Sequence, residues 1–317
     1  MNTTPSSPQH PTSSAAAEQH GDAPRARALV LGGGGSTGNA WLIGIVAGLF
    51  DAGLDVTQAD LTIGTSAGST AAAQFAGASP AELFATTVEA VPPQQRSVPP
   101  RMPGAARTLG TDPLARLQQL IASSSDLPEL RRRVAAAALE ADAASDGSWS
   151  EKWRATVATR FRNHEWPQRR VLITAIDAHS AQPVVFDRHS GVDLVDAVAA
   201  SCAGGGFPYR IGDRTYLDGG YRINAENADL ATGYERVLVL SPFGGRTLHP
   251  LEWGTGLAVQ VDVLRAAGSH VEVVGPDAAS EHLFGPNAMD FSLRPAAARA
   301  GYEQGTELAS RLAEFWV

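Results

Sequence analysis

Cysteine is almost absent: Cys202 is the only one in 317 residues. No intramolecular disulfide can form, which fits a reducing compartment. A cationic surplus is missing too, since 25 Lys and Arg face 33 Asp and Glu for a formal net charge of −8. Nothing is left over to neutralise phosphates, which argues against a nucleic-acid partner. The run Arg131-Arg132-Arg133 reads as a solvated helix face. No stretch reaches the roughly 18–20 uninterrupted apolar residues of a membrane-spanning helix. The N-terminus, MNTTPSSPQHPTSSAAAEQHGDAP, has neither the positive start nor the apolar segment of a secretory leader. Its Ser/Thr/Pro/Ala bias predicts a disordered tail over residues 1–24. No internal repeat is found. These absences point to a cytoplasmic protein with no more than transient contact at a membrane surface.

Core material is plentiful, with hydrophobic residues at 44%, enough for one large α/β domain over residues 25–317. RALVLGG is a short apolar run ending in glycine, as a buried parallel strand is. NAWLIGIVAGLFDAG is apolar nearly all round, which predicts a buried helix ended by Gly53. ADLTIG and SAGSTAAAQFAGA repeat the strand and the helix, an alternation typical of right-handed βαβ units in a parallel sheet. Residues 91–162 break the pattern. VPPQQRSVPPRMPG predicts a loop, and helices follow near 112–124, 126–142 and 148–162, forming a helical insertion or cap within the domain. Ser148 and Glu151 have the spacing of a capping box, and Trp149, Trp153, Val157 and Phe161 line one face, read as core. Strands return at RRVLITAID, QPVVFD, RTYLDGG, ERVLVLSPF and SHVEVVGP, with a helix at GVDLVDAVAASCA. A closing helix from about Arg294 carries Leu308, Leu312 and Phe315 near one face.

The chemistry concentrates in three stretches. In IGTSAGS, Gly64, Ser66 and Gly68 form G-x-S-x-G between a strand and a helix. A nucleophilic serine on such a turn has a cramped backbone that glycines two residues either side relieve. In LGGGGSTGNAWLIG, Gly33, Gly34 and Gly35 follow a strand and can aim backbone N–H groups at one oxyanion, while Gly38 opens the buried helix. Gly33-x-Gly35-x-x-Gly38 also matches a dinucleotide fingerprint, which requires an acidic residue at the end of the second strand. That strand ends instead in Gly64-Thr65-Ser66, so no nucleotide cofactor is expected. In TYLDGGYRINAEN, Asp218 closes a strand and Gly219-Gly220 leave room around its carboxylate, making it a candidate base. A histidine base is the usual alternative, with His164, His179, His189, His249, His270 and His282 as candidates in no informative local pattern.

These three motifs in this order, with PVVFD, AVAASCAGGGFPYRIGDRTYLDGG and Asn224, resemble the patatin-like phospholipase family over most of residues 27–240. The resemblance implies a three-layer α/β/α sandwich with a mainly parallel central sheet. It also implies a serine acyl hydrolase acting on lipid or fatty-acyl esters, with no cofactor and no metal. Ser66 would be the nucleophile, Asp218 the base in a Ser–Asp dyad without histidine, and Gly33, Gly34 and Gly35 the oxyanion hole. The chain departs from the family's commonest pattern at Thr37, where arginine is usual, and at Glu226, where proline is frequent. A histidine-assisted esterase and a catalytically silent lipid-binding protein are the competing expectations.

Overall fold

A computed structural model describes residues 26–89, 113–205 and 207–316. The expected tail over 1–24 and the proline-rich loop VPPQQRSVPPRMPG lie outside them. The apolar runs form β1 (Arg27–Leu31), α1 (Gly35–Asp51), β2 (Leu61–Gly64) and α2 (Ala67–Gly77). Gly53, at φ +92°, ends α1: its N–H donates to Phe50 O, and that of Leu54 to Leu49 O. Carbonyls of the last turn that would otherwise be orphaned are thereby satisfied. Next come α3 (Pro80–Glu89), α4 (Pro113–Ala122), α5 (Leu127–Ala143) and α6 (Ser148–Ala158). The C-terminal half adds β3 (Arg170–Asp177), β4 (Gln182–Phe186), α7 (Leu194–Ser201), β5 (Tyr209–Ile211), β6 (Arg214–Asp218), β7 (Arg236–Leu240), α8 (Leu257–Ala266), β8 (His270–Val274) and α9 (Arg294–Trp316).

Eight strands make one sheet in the order β5-β6-β3-β2-β1-β7-β8, with β4 paired to β3. Neighbours from β8 to β3 run parallel, whereas β4 and β6 pair with β3 antiparallel. Two registers decide where chemistry can happen. Ile173 of β3 pairs with Gly64 of β2 and Phe186 of β4, and Ala175 pairs with Asp218 of β6 and Val184 of β4. Because β4 takes one edge of β3 at both positions, β2 and β6 share the other. Their C-terminal ends therefore face each other across Thr174.

Helices cover both faces. Leu29, Leu31, Ile173 and Ala175 point into a core with α1, α2, α7 and α9, joined by Val157 of α6 and Phe161. Ala28, Val30, Val237 and Val239 point the other way, against Leu257, Val261 and Leu264 of α8. On that second face α5 packs over Ile176 and Leu217. The result is the three-layer α/β/α sandwich, with the helices of the 91–162 segment lying on the sheet and on α7. The Trp149–Phe161 stripe is core at its far end and half-buried at its tryptophans. No described helix is long and apolar enough to cross a membrane.

One local expectation fails for an identifiable reason. The capping box at Ser148 does not form, because Asp146 Oδ1 accepts both the Ser148 hydroxyl (2.8 Å) and its N–H (3.0 Å), leaving Gly147 as N-cap. A capping box does form at Ser79 and Glu82, which start the unanticipated α3: Ser79 N–H donates to Glu82 Oε2 (3.0 Å) and Glu82 N–H to Ser79 Oγ (3.3 Å). β5 and α8 are likewise unanticipated.

The face of α9 that meets α1 is made of glycine and alanine rather than its leucines. A Cβ on Gly44 would lie 2.0 Å from Ala298 O, and one on Gly48 2.2 Å from Tyr302 O. On the opposite helix, a Cβ on Gly301 would lie 2.5 Å from Trp41 O and one on Gly305 2.4 Å from Ile45 O. Two glycines four apart on each helix let the backbones meet. Gly48→Ala is expected to force the helices apart and lower stability by about 1–3 kcal/mol, read as a shifted urea midpoint. An unshifted midpoint would show that the pair yields without cost.

Candidate active site

β2 delivers Gly64 and Thr65 to a sharp turn whose apex is Ser66, at φ +52° and ψ −113°. A non-glycine residue at positive φ is strained and persists only where its surroundings hold it. The glycines on either side answer packing demands. A Cβ on Gly68 would lie 1.8 Å from Leu31 O, and one on Gly64 2.6 Å from Ser69 Cα. Both main-chain groups of Ser66 are gripped by the end of α7. Ser66 N–H donates to Ser201 Oγ (2.9 Å), while Cys202 Sγ (3.1 Å) and Ser69 Oγ (2.7 Å) donate to Ser66 O. Sequence reasoning missed Ser201 and Cys202, whose roles arise only once α7 lies beside α2.

Across Thr174, β6 delivers Asp218. Its N–H donates to Ala203 O (3.0 Å), and its Oδ1 accepts from Gly220 N (2.8 Å). The Ser66 hydroxyl lies near enough to the same carboxylate to lower its pKa. Burial raises the Asp218 carboxyl to about 6, against the lowering effect of the Gly220 bond and the nearby Ser66 hydroxyl. Gly219 is required because a Cβ there would sit 2.1 Å from Thr174 Oγ1. Asn227 ties the two turns together, with Nδ2 donating to Thr65 Oγ1 (3.0 Å) and to Gly219 O (3.0 Å). It also holds φ +54°, and no sequence signal marks it. Asn224 has its Oδ1 accepting from the N–H groups of Glu226 (3.0 Å) and Asn227 (2.8 Å), which shapes the segment beside Asp218.

The glycine loop closes the third side. A Cβ on Gly33 would lie 3.6 Å from Ser66 Cβ, so the loop faces the serine. Its N–H is already committed to Ala225 O (2.8 Å), however, which removes Gly33 from the expected set of oxyanion donors. The N–H groups of Gly34 and Gly35 have no partner among the described residues. Gly34 and Gly38 make room for Pro242, which would lie 2.5 Å and 3.0 Å from their added Cβ atoms. Thr37 is fully buried, with its hydroxyl unpartnered among the described residues. Glu226 is buried against Ser241 Oγ (2.6 Å), with burial raising its carboxyl. Among the described residues, none of the six candidate histidines hydrogen-bonds Ser66 or Asp218. His249, the half-buried one, faces Thr255 Oγ1 (2.9 Å), and burial lowers its ring pKa.

A family model described as "Patatin-like phospholipase" matches residues 29–231. Among solved structures, VipD from Legionella pneumophila is similar at 12% identity and a TM-score of 0.45, covering 91% of this chain and 67% of that one. No curated protein sequence matches.

Proposed function

From the premise that this chain belongs to the patatin-like phospholipase family, a family of lipid acyl hydrolases, we propose that it cleaves carboxylic esters of lipids through a Ser66–Asp218 dyad. The observation that carries this reading is the juxtaposition: a strained, half-buried serine close beside a carboxylate that burial has made more basic. Asp218 accepts the hydroxyl proton as Ser66 Oγ attacks the ester carbonyl carbon. The N–H groups of Gly34 and Gly35 hold the resulting oxyanion, and the N-terminus of α2 adds favourable potential. Collapse breaks the ester C–O bond, and the alcohol leaves with the proton from Asp218. Water, deprotonated by the same carboxylate, then attacks the acyl-enzyme; the acyl C–Oγ bond breaks, Ser66 Oγ takes the proton back from Asp218, and the fatty acid is released. Phe207, 41% exposed and stacked on Trp149, and Met289, 66% exposed beside Gly35, offer exposed apolar surface suited to a lipid aggregate. A chain-length series of p-nitrophenyl esters beside phospholipid vesicles, with Ser66→Ala as blank, tests the proposal. Equal rates in the wild type and a folded Ser66→Ala protein would overturn it.

Ser201 acts as a positioning residue. Ser201→Ala leaves the Ser66 amide without its acceptor and lets the strained turn relax. The expected result is a fall in kcat of about tenfold with KM nearly unchanged, and slower fluorophosphonate labelling of Ser66. Wild-type labelling kinetics in that variant would remove the role.

A further inference from the structure

A carboxyl with no cation to meet it is costly to bury. Glu226 is 1% exposed, and no ion pair among the described residues includes it. It lies in residues 224–227, a short segment after the base turn that binds the other parts of the site. Asn224 Oδ1 accepts from the N–H groups of Glu226 and Asn227, which folds the segment on itself. Ala225 O takes the Gly33 N–H (2.8 Å). Asn227 Nδ2 reaches Thr65 on the nucleophile turn and Gly219 on the base turn.

The Glu226 side chain runs past the glycine loop to the end of β7. There its Oε1 accepts from Ser241 Oγ (2.6 Å), and Ser241 Oγ in turn accepts from Gly245 N–H (2.8 Å). Ser241 is fully buried, and its own N–H donates to Val274 O (2.8 Å) at the end of β8. The next residue, Pro242, is the surface on which the glycine loop rests. A Cβ on Gly32 would lie 3.4 Å from Glu226 Cγ and 3.3 Å from Pro242 Cδ, and one on Gly34 would lie 2.5 Å from Pro242 Cβ. Gly32, Gly33 and Gly34 thus lean on Glu226, Ala225 and Pro242 in turn. An oxyanion gains most from donors fixed in place before the reaction, and a displacement of about 1 Å removes much of the benefit.

Resting on the Ser66–Asp218 reading, we propose that Glu226 is a positioning residue for the oxyanion loop, holding the Ser241 hydroxyl and with it the Ser241-Pro242 turn in the place that presents the Gly34 and Gly35 N–H groups to the tetrahedral intermediate. The residue touches no substrate and moves no proton. A methionine has similar length and would fill the space without burying a carboxyl, so what glutamate adds is the acceptor for Ser241.

The test compares wild type with Glu226→Met, Glu226→Gln, Ser241→Ala and the double variant Glu226→Met/Ser241→Ala, each checked for folding by its urea midpoint. On a short-chain p-nitrophenyl ester, kcat and KM are read beside the inhibition constant of an alkyl trifluoromethyl ketone, which adds to a nucleophilic serine as a tetrahedral oxyanion. Glu226→Met is expected to lower kcat and weaken the ketone, each by about tenfold, with KM nearly unchanged, since the loop's donors act on the transition state. Glu226→Gln keeps an oxygen that accepts from Ser241 and should recover most of both. The double variant should be no slower than Glu226→Met alone, because the two side chains act through one bond. An unchanged kcat in folded Glu226→Met, a Gln variant as slow as the Met variant, or additive losses in the double variant would each overturn the proposal. Hydrogen exchange supplies an arm independent of turnover. The Gly32 and Gly33 amides, bonded to Leu240 O and Ala225 O, should exchange faster in Glu226→Met than in wild type or Glu226→Gln. Equal exchange in all three overturns the bracing role whatever the activity. A wild type that hydrolyses no ester yet shows the difference overturns the hydrolase reading and keeps Glu226 as the brace of the loop.

Discussion

Ser66→Ala is expected to lower ester hydrolysis on the order of 10⁶-fold, as removal of a catalytic nucleophile does elsewhere, and to abolish fluorophosphonate labelling. The fold should survive, which makes the result interpretable. The bonds from Ser201, Cys202 and Ser69 all engage the main chain at residue 66, and alanine retains that main chain. The strain at φ +52° is also the same for alanine as for serine. What alanine removes is the hydroxyl beside Asp218, whose carboxyl should then rise further, because that hydroxyl lowers it. In a dyad that works as a unit, Ser66→Ala combined with Asp218→Asn should be no slower than Ser66→Ala alone. An additive loss would mean that Asp218 acts on the substrate by a route independent of Ser66.

The sequence marks the proposed reacting groups because their constraints are local. A serine held at positive φ needs glycine two residues either side, and a strand-ending aspartate needs glycine next to it where the chain crosses Thr174. Those requirements leave a readable spelling. The groups that hold them are remote and carry no such mark. Ser201, Cys202 and Asn227 act only because α7 and the segment after β6 converge on the turn. The same limit explains Gly33. Its residue type is legible, but its amide's engagement with Ala225 O depends on a segment nearly two hundred residues away. Gly301 and Gly305 escape an apolar-face reading, which weighs leucines, whereas this helix pair is closed by the absence of side chains.

Asp218→Asn should reduce activity by about 10⁴-fold while making the protein more stable at alkaline pH. The activity arm follows from the base having to be ionised. With the carboxyl raised to about 6, wild-type kcat/KM should be flat above pH 7 and fall about tenfold per pH unit below 5. The stability arm has the opposite sense. A carboxyl raised in the folded state contributes stability that is present below its unfolded value, near 3.8, and lost as pH rises through about 6. Ionising Asp218 at pH 8 thus costs the fold about 3 kcal/mol, and asparagine avoids that cost. The weakened bond to Gly220 offsets part of it, by about 1 kcal/mol. Thermal melts of the two proteins should therefore diverge at pH 8, with the variant higher, and converge near pH 4. If the variant melts lower at pH 8, Asp218 is not held against its own ionisation. A pH–rate profile breaking near 4 instead of 6 would say the same, and its basicity would then owe nothing to the fold.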